Sequence, residues 1–219
     1  MITYKQVVDC EAIKTYIVCA DKSLDALGYT DHSFAHVMHV AEMAGYILKT
    51  LNFDDRTVEL GKIAGYLHDI GNLVNRKEHS QSGAVMAWSI LNDMDCDPEE
   101  LATIVTAIGN HDEGTGVPVN PVAAALILAD KADVRWTRVR NKDIATFDIH
   151  DRVNYSVRSS TLSINEEHTV VKLNLTIDTK YGSVMDYFEI FMERMLLCRK
   201  AAEKLGLRFN LIINDQQLV

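Results

Sequence analysis

Residues 65–72 read GYLHDIGN, and the junction at their centre decides how the rest of the chain is organised. A helix opening after Asp54 or Asp55 carries Val58, Ile63, Ala64 and Leu67 at helical spacing into this stretch, and Gly71 predicts where it stops. His68 and Asp69 then sit at a helix end, where a packed turn behind them can hold both side chains rigidly. Adjacent helical residues point about 100 degrees apart and do not normally converge on one atom. Both can nevertheless reach a metal ion lodged at the helix end. The dipeptide alone carries almost nothing, because His-Asp also occurs at His111-Asp112 and His150-Asp151. Only the first copy ends an apolar helix.

A metal held by two side chains is labile, so further ligands must come from other helices. Nitrogen and carboxylate donors suit zinc, manganese, iron or nickel better than magnesium. Upstream, DHSFAHVMHV at 31–40 holds His32, His36 and His39, three of the eight histidines in the chain. They fall within about 60 degrees of one helical face, so spacing leaves all three as candidates. Downstream, ALILADKAD places Asp130 inside an otherwise apolar helix, where an acid is costly unless it is paired or coordinated. The plain alternative for Asp130 is an ion pair with a neighbouring arginine.

Composition bounds the remaining readings. The 219 residues are 47% hydrophobic and 24% charged, as in a soluble globular chain with room for one core. Cysteines at 10, 19, 96 and 198 show no CxxC pair, which predicts free thiols in a cytoplasmic protein. No apolar run approaches the roughly 18 residues of a membrane span, and no leader is expected. A net charge of -9 disfavours a stable nucleic-acid partner. One local exception is KADVRWTRVRNK, with Lys131, Arg135, Arg138, Arg140 and Lys142 interleaved with Asp133; the plain reading is a solvated helix face.

Helical periodicity predicts helices at about 5–27, 32–51, 54–71 and 80–93, and another beginning at DPEE with Asp97 as N-cap and Pro98 at the first helical position. NHDEGTGVPVN reads as a loop, and Asn120-Pro121 opens a helix apolar nearly all round, hence central. After about residue 150, YSVRSSTLSI and HTVVKLNLTID read as a hairpin, followed by an amphipathic helix at about 183–205 and a strand LRFNLII. The fold class is mainly α, with a small α+β extension of hairpin, long helix and strand.

In that frame His36, His68-Asp69 and Asp130 resemble the H…HD…D pattern of the HD-domain superfamily of metal-dependent phosphohydrolases. FAHVMHVAEMA resembles the family's first motif, GYLHDIGN its central one and ILADKAD its last, over about residues 30–135. The resemblance implies a helical HD bundle, taken as residues 1–148; it says nothing of residues 150–219, and 149–219 are expected from their own strand and helix pattern as the α+β extension packed on the bundle. EHSQSGAVMAWSIL and GNHDEGTGVP resemble the HxxxG and histidine-rich elements of the HD-GYP branch, which makes His79 and His111 ligands of a second ion. Asn72, Asn110 and Val117 depart from that branch, so its third metal and cyclic-dinucleotide pocket are not implied.

What the resemblance implies is a two-metal site that hydrolyses a small phosphorylated substrate with a metal-activated water. One ion falls to His36, His68, Asp69 and Asp130 and a second to Asp69, His79 and His111, with Asp69 bridging and Asp69 and His68 as the catalytic pair. Lys131, Arg135, Arg138 and His39 are the substrate-binding candidates, and His32 supports the ligands from behind. The ions are divalent transition metals: Fe, Mn, Ni or Zn. Two alternatives stay open, a di-iron oxygenase and a non-catalytic regulatory module. The apolar face with Phe188, Phe191 and Met195 reads as intramolecular core, with a homodimer interface as the other use for it.

Overall fold

The computed structural model describes residues 1–219 as nine α-helices and a four-stranded sheet. The helices are α1 (Tyr4–Asp9), α2 (Glu11–Ala26), α3 (Phe34–Thr50), α4 (Asp55–Leu67), α5 (His79–Asp93), α6 (Pro98–Gly109), α7 (Pro121–Lys131), α8 (Ile149–Ser156) and α9 (Val184–Lys204). The strands are β1 (Val157–Ile164), β2 (Val170–Ile177), β3 (Arg208–Ile213) and β4 (Gln216–Gln217). Polar caps start the helices that frame the site. Ser33, Asp54, Asp97 and Asn120 each accept a backbone N–H of the first turn. Gly28 follows α2 at φ +80, where a residue without Cβ is at no disadvantage.

Every residue of α7 from Val122 to Ala129 is buried, so the helix read as apolar all round is the axis of the fold. It packs against α3, α4, α6 and α9. In the sheet, β1 and β2 form the hairpin, β3 joins parallel to β2 and β4 closes antiparallel on β3. Parallel neighbours need a long connection, and α9 supplies it while laying Phe191, Met195 and Cys198 into the core. That face is thus internal to the chain. One contiguous apolar core runs from Ile2 to Ile213, so bundle and sheet are joined through it. No helix is long and apolar enough to cross a membrane.

Three local expectations are corrected and one short strand is added. The helix at 5–27 is two helices broken at Cys10, because each follows its own partner: Tyr4 of α1 donates its N–H to Glu59 of α4 and packs edge-on to Tyr66, whereas α2 packs on the turn at Ile70–Leu73. Gly71 does not stop α4. It lies within that 3₁₀ turn and is glycine for close approach, since a Cβ there would stand 2.0 Å from the His79 carbonyl oxygen and 2.4 Å from the Gly83 nitrogen. Tyr155 and Ser156, read as strand, end the unforeseen α8, which Asp148 caps by accepting the Asp151 N–H. Asn214 and Asp215, both at positive φ, form the two-residue turn that makes β4.

Two outcomes follow. Gly71→Ala must push α5 from the turn that carries Asp69, and unfolding by urea should show a loss of about 3 kcal/mol or more. Arg56 of α4 forks onto Glu100 of α6 at 2.6 and 2.5 Å and also reaches Glu59. The Arg56 hydrogen bonds hold the Glu100 carboxyl below its usual range, so the tie is present above the unfolded pKa and lost as pH falls through the folded one. Arg56→Met should cost about 1 kcal/mol at pH 7, and the difference in melting temperature should shrink in acid.

Candidate metal centre

Helix ends build the site. The last carbonyls of a helix lack an intrahelical donor, and His68 and His111, just past α4 and α6, satisfy one each: His68 Nδ1 donates to Gly65 O at 2.8 Å and His111 Nδ1 to Ile108 O at 2.6 Å. His79, opening α5, donates Nδ1 to Arg76 O at 3.1 Å, and His36 of α3 donates Nδ1 to Asp133 Oδ2 at 2.8 Å. A carbonyl or carboxylate can only accept, so in all four rings Nδ1 carries a hydrogen and Nε2 is the nitrogen turned toward the centre.

The four Nε2 atoms face one another in pairs. His36 Nε2 lies 3.3 Å from His68 Nε2 and 3.4 Å from both Asp69 Oδ2 and Asp130 Oδ1. His68 Nε2 is 3.2 Å from Asp69 Oδ2 and 3.6 Å from Asp130 Oδ1. On the other side of the same carboxylate, His79 Nε2 is 3.4 Å from Asp69 Oδ1 and 3.2 Å from His111 Nε2. All four histidines and Asp69 are buried. Donors that share one ion at about 2.1 Å in tetrahedral or octahedral arrangement stand about 3.0–3.4 Å apart, so this donor set fits metal. Two bare acceptors at such a distance repel, so a proton or a metal ion has to lie between them.

The two carboxylates make the centre one that favours a positive charge, which a proton on His68 supplies and a metal ion in its place would supply too. Burial favours neutral His68, yet the Asp69 and Asp130 carboxylates outweigh it and raise its pKa to about 10. Burial also opposes ionisation of Asp69 and Asp130, but His68 beside the first and Lys131 beside the second hold both well below the carboxylate range. His111 and His32, dominated by burial, are pushed well below the usual histidine value. Asn72 steadies the centre by donating Nδ2 to Asp69 Oδ1 at 2.9 Å.

A cavity of about 440 Å³ opens onto this cluster, lined among others by His32, Asp69, His79, Asp130, Lys131 and Arg138. Of the residues singled out in the sequence, His36, His68, Asp69, His79, His111 and Asp130 come together around the two sides of Asp69. His32 stands beside them, Nδ1 bound to Thr30 O at 2.6 Å and Nε2 4.0 Å from Asp69 Oδ2. Lys131 and Arg138 reach the cavity wall; Arg135, paired with Asp133, and His39, exposed on α3, do not line it. Sequence reasoning passed over Asn72, Asp133, Glu113, Arg76 and Arg194. Asp133 carried a usable signal, a second acid three residues after Asp130 at the end of an apolar helix; Arg194 carried none, being 64 residues from Asp130 in sequence, as the two numbers show.

The HD domain family model matches residues 33–153. An uncharacterized protein of Methanocaldococcus jannaschii is 29% identical over 161 residues, 63% of this chain, and the chain spans 61% of that relative's length. A crystal structure titled as a predicted HD superfamily hydrolase from an uncultured Thermotogales bacterium aligns at a TM-score of 0.45 and 25% identity, over 57% of this chain and 67% of that one.

Asp133 fixes the tautomer and orientation of His36 from behind. Asp133→Asn should lower metal affinity about 10-fold or more with little change in far-ultraviolet circular dichroism, measured by competition against a chromophoric chelator.

Proposed function

The chain belongs to the HD domain family, and from that premise we propose that it is a metal-dependent phosphohydrolase with a binuclear centre, acting on a small phosphate ester. The observation that carries this reading is the Asp69 carboxylate, whose Oδ2 faces His36 and His68 while its Oδ1 faces His79. In this reading His36, His68, Asp69 and Asp130 hold one ion, and Asp69, His79 and His111 hold the other. Divalent ions held there would supply Lewis acidity and a water of lowered pKa for attack on a phosphate ester.

The chain's own residues do the positioning. Asn72 holds Asp69 Oδ1, and the turn at Ile70–Leu73, pressed onto α5 at Gly71, keeps that carboxylate between the histidine pairs. Lys131 Nζ, 2.8 Å from Asp130 Oδ2 and 2.6 Å from Glu113 Oε2, offsets negative charge beside the incoming phosphoryl group. Arg138 ties the end of α7 to the segment before α3, through Asp133 O at 2.7 Å and Asp31 O at 2.9 Å. Its buried guanidinium adds positive potential to the wall. His32, held by Thr30, presents Nε2 to the cavity as a proton acceptor next to Asp69.

Asp69→Ala should remove bound metal and abolish phosphate release from a panel of phosphomonoesters and diesters assayed with manganese, iron, nickel and zinc. Turnover at an undiminished rate in this variant would sink the reading. Oxygen consumption by an iron-loaded protein that releases no phosphate would replace it with the oxygenase alternative.

A further inference from the structure

Four cationic side chains line the cavity, and they differ in how far the protein already uses them. Lys131 is committed to Asp130 and Glu113, and Arg138 to two backbone carbonyls. Arg194 of α9 is held differently. Its Nε donates to Glu113 Oε1 at 2.8 Å and its guanidinium carbon sits 4.4 Å from the Phe191 ring centroid, which fixes the plane of the group. Both terminal nitrogens are left without a protein acceptor. Arg76, on the turn before α5, lies 5.7 Å from the Tyr29 ring centroid and makes only a long 3.4 Å bond to Asn72. Arg194 lies outside residues 33–153, so the family segment does not provide it.

We propose that Arg194 is a substrate-binding residue, its two terminal nitrogens holding the phosphoryl group of a small phosphomonoester in this cavity, with Arg76 as the second free cation. The identity of the anion rests on the phosphohydrolase reading; the anion site itself rests on the uncommitted guanidinium. An arginine plane fixed on one edge and one face presents its remaining N–H groups as a fork, the geometry that matches two phosphoryl oxygens. The volume of about 440 Å³ is that of a small-molecule site. Asp148 and Asp151 of the α8 region line the same cavity, and with the net charge of -9 they repel a second phosphate. That charge balance favours a substrate body without a second phosphate, a small phosphomonoester over an oligonucleotide.

Calorimetric titration of the metal-bearing protein with inorganic phosphate tests the site, alongside KM and kcat for glycerol phosphate. Arg194→Gln should raise the phosphate Kd and the KM about tenfold or more while metal content stays near wild type. Arg194→Lys, which keeps the charge without the fork, should fall between the two. Arg199→Gln, exposed on the same helix, should change neither. If Arg194→Gln does not fold, the Lys variant decides: a phosphate Kd equal to wild type overturns the proposal. Competition for phosphate by a tetranucleotide overturns the small-monoester class. Phosphate binding that depends on Arg194 in a protein that hydrolyses no ester removes the hydrolase reading and leaves the anion site. Ester turnover with KM and phosphate Kd indifferent to Arg194 does the reverse.

Discussion

The Nε2 atoms of four buried imidazoles converge on one another and on the Asp69 and Asp130 carboxylates, and the positive charge this cluster demands is the constraint on which the surrounding structure depends. Each Nδ1 hydrogen is already spent on an acceptor: Gly65 O, Ile108 O, Arg76 O or Asp133. No rotation of those rings turns the Nε2 atoms away without orphaning a buried donor or carbonyl, which costs about as much as a lost hydrogen bond. The arrangement therefore has to be held by packing. The apolar faces of α3, α4, α6 and α7 do that, with Val37, Val40, Ile63, Ala64, Ile104 and Ile108 buried behind the polar centre. Core and centre are two sides of the same helices.

Around the centre, charge is offset pair by pair. Lys131 is buried and would be costly alone, but it lies between Asp130 and Glu113; Arg138 is buried against Asp133. Breaking such a pair by removing one partner leaves an uncompensated charge in a low dielectric. Glu113 extends the chain to Arg194, so ion pairs run from α7 through the loop after α6 to α9. Asp130 consequently offers the centre one oxygen and not two. One of its oxygens is already taken by Lys131 and the other faces His36 and His68.

Much of this was legible in the sequence, for a physical reason. Helices whose apolar stripe and caps agree, such as the one opened by Asp97-Pro98 and the one opened by Asn120-Pro121, fold where local signals place them. His68 and Asp130 could be found because a polar residue at the end of, or within, an apolar helix contradicts its surroundings. What stayed hidden was set by tertiary partners: the break at Cys10, decided by α1 docking on α4, and α8, whose strand-like neighbours from Val157 onward masked it. The choice among Lys131, Arg135, Arg138 and His39 was equally hidden. Spacing places four candidates near Asp130 or His36, but only the packing of the segment after α7 turns Arg138 inward and pairs Arg135 with Asp133 away from the cavity.

The segments outside the family match decide what the centre can meet. Leu27 to Thr30, after α2, and Phe191 and Arg194 of α9 complete walls that residues 33–153 leave open. α9 is placed by its role as the crossover between β2 and β3 and by burial of its apolar face on α7. Gly116 in the loop after α6 admits it closely: a Cβ there would stand 2.5 Å from Asp112 O and 3.1 Å from a Leu197 methyl. That loop also carries Glu113, so the packing that seats Leu197 is the packing that brings Glu113 to Arg194. The donors that fit metal are fixed by helix ends within the bundle, whereas the reach and charge of the cavity are fixed by the sheet-linked helix leaning on it. The two can vary independently. Side chains on the cavity-facing turn of α9 can change the ligand admitted without disturbing an imidazole, because no histidine of the centre is hydrogen-bonded to α9.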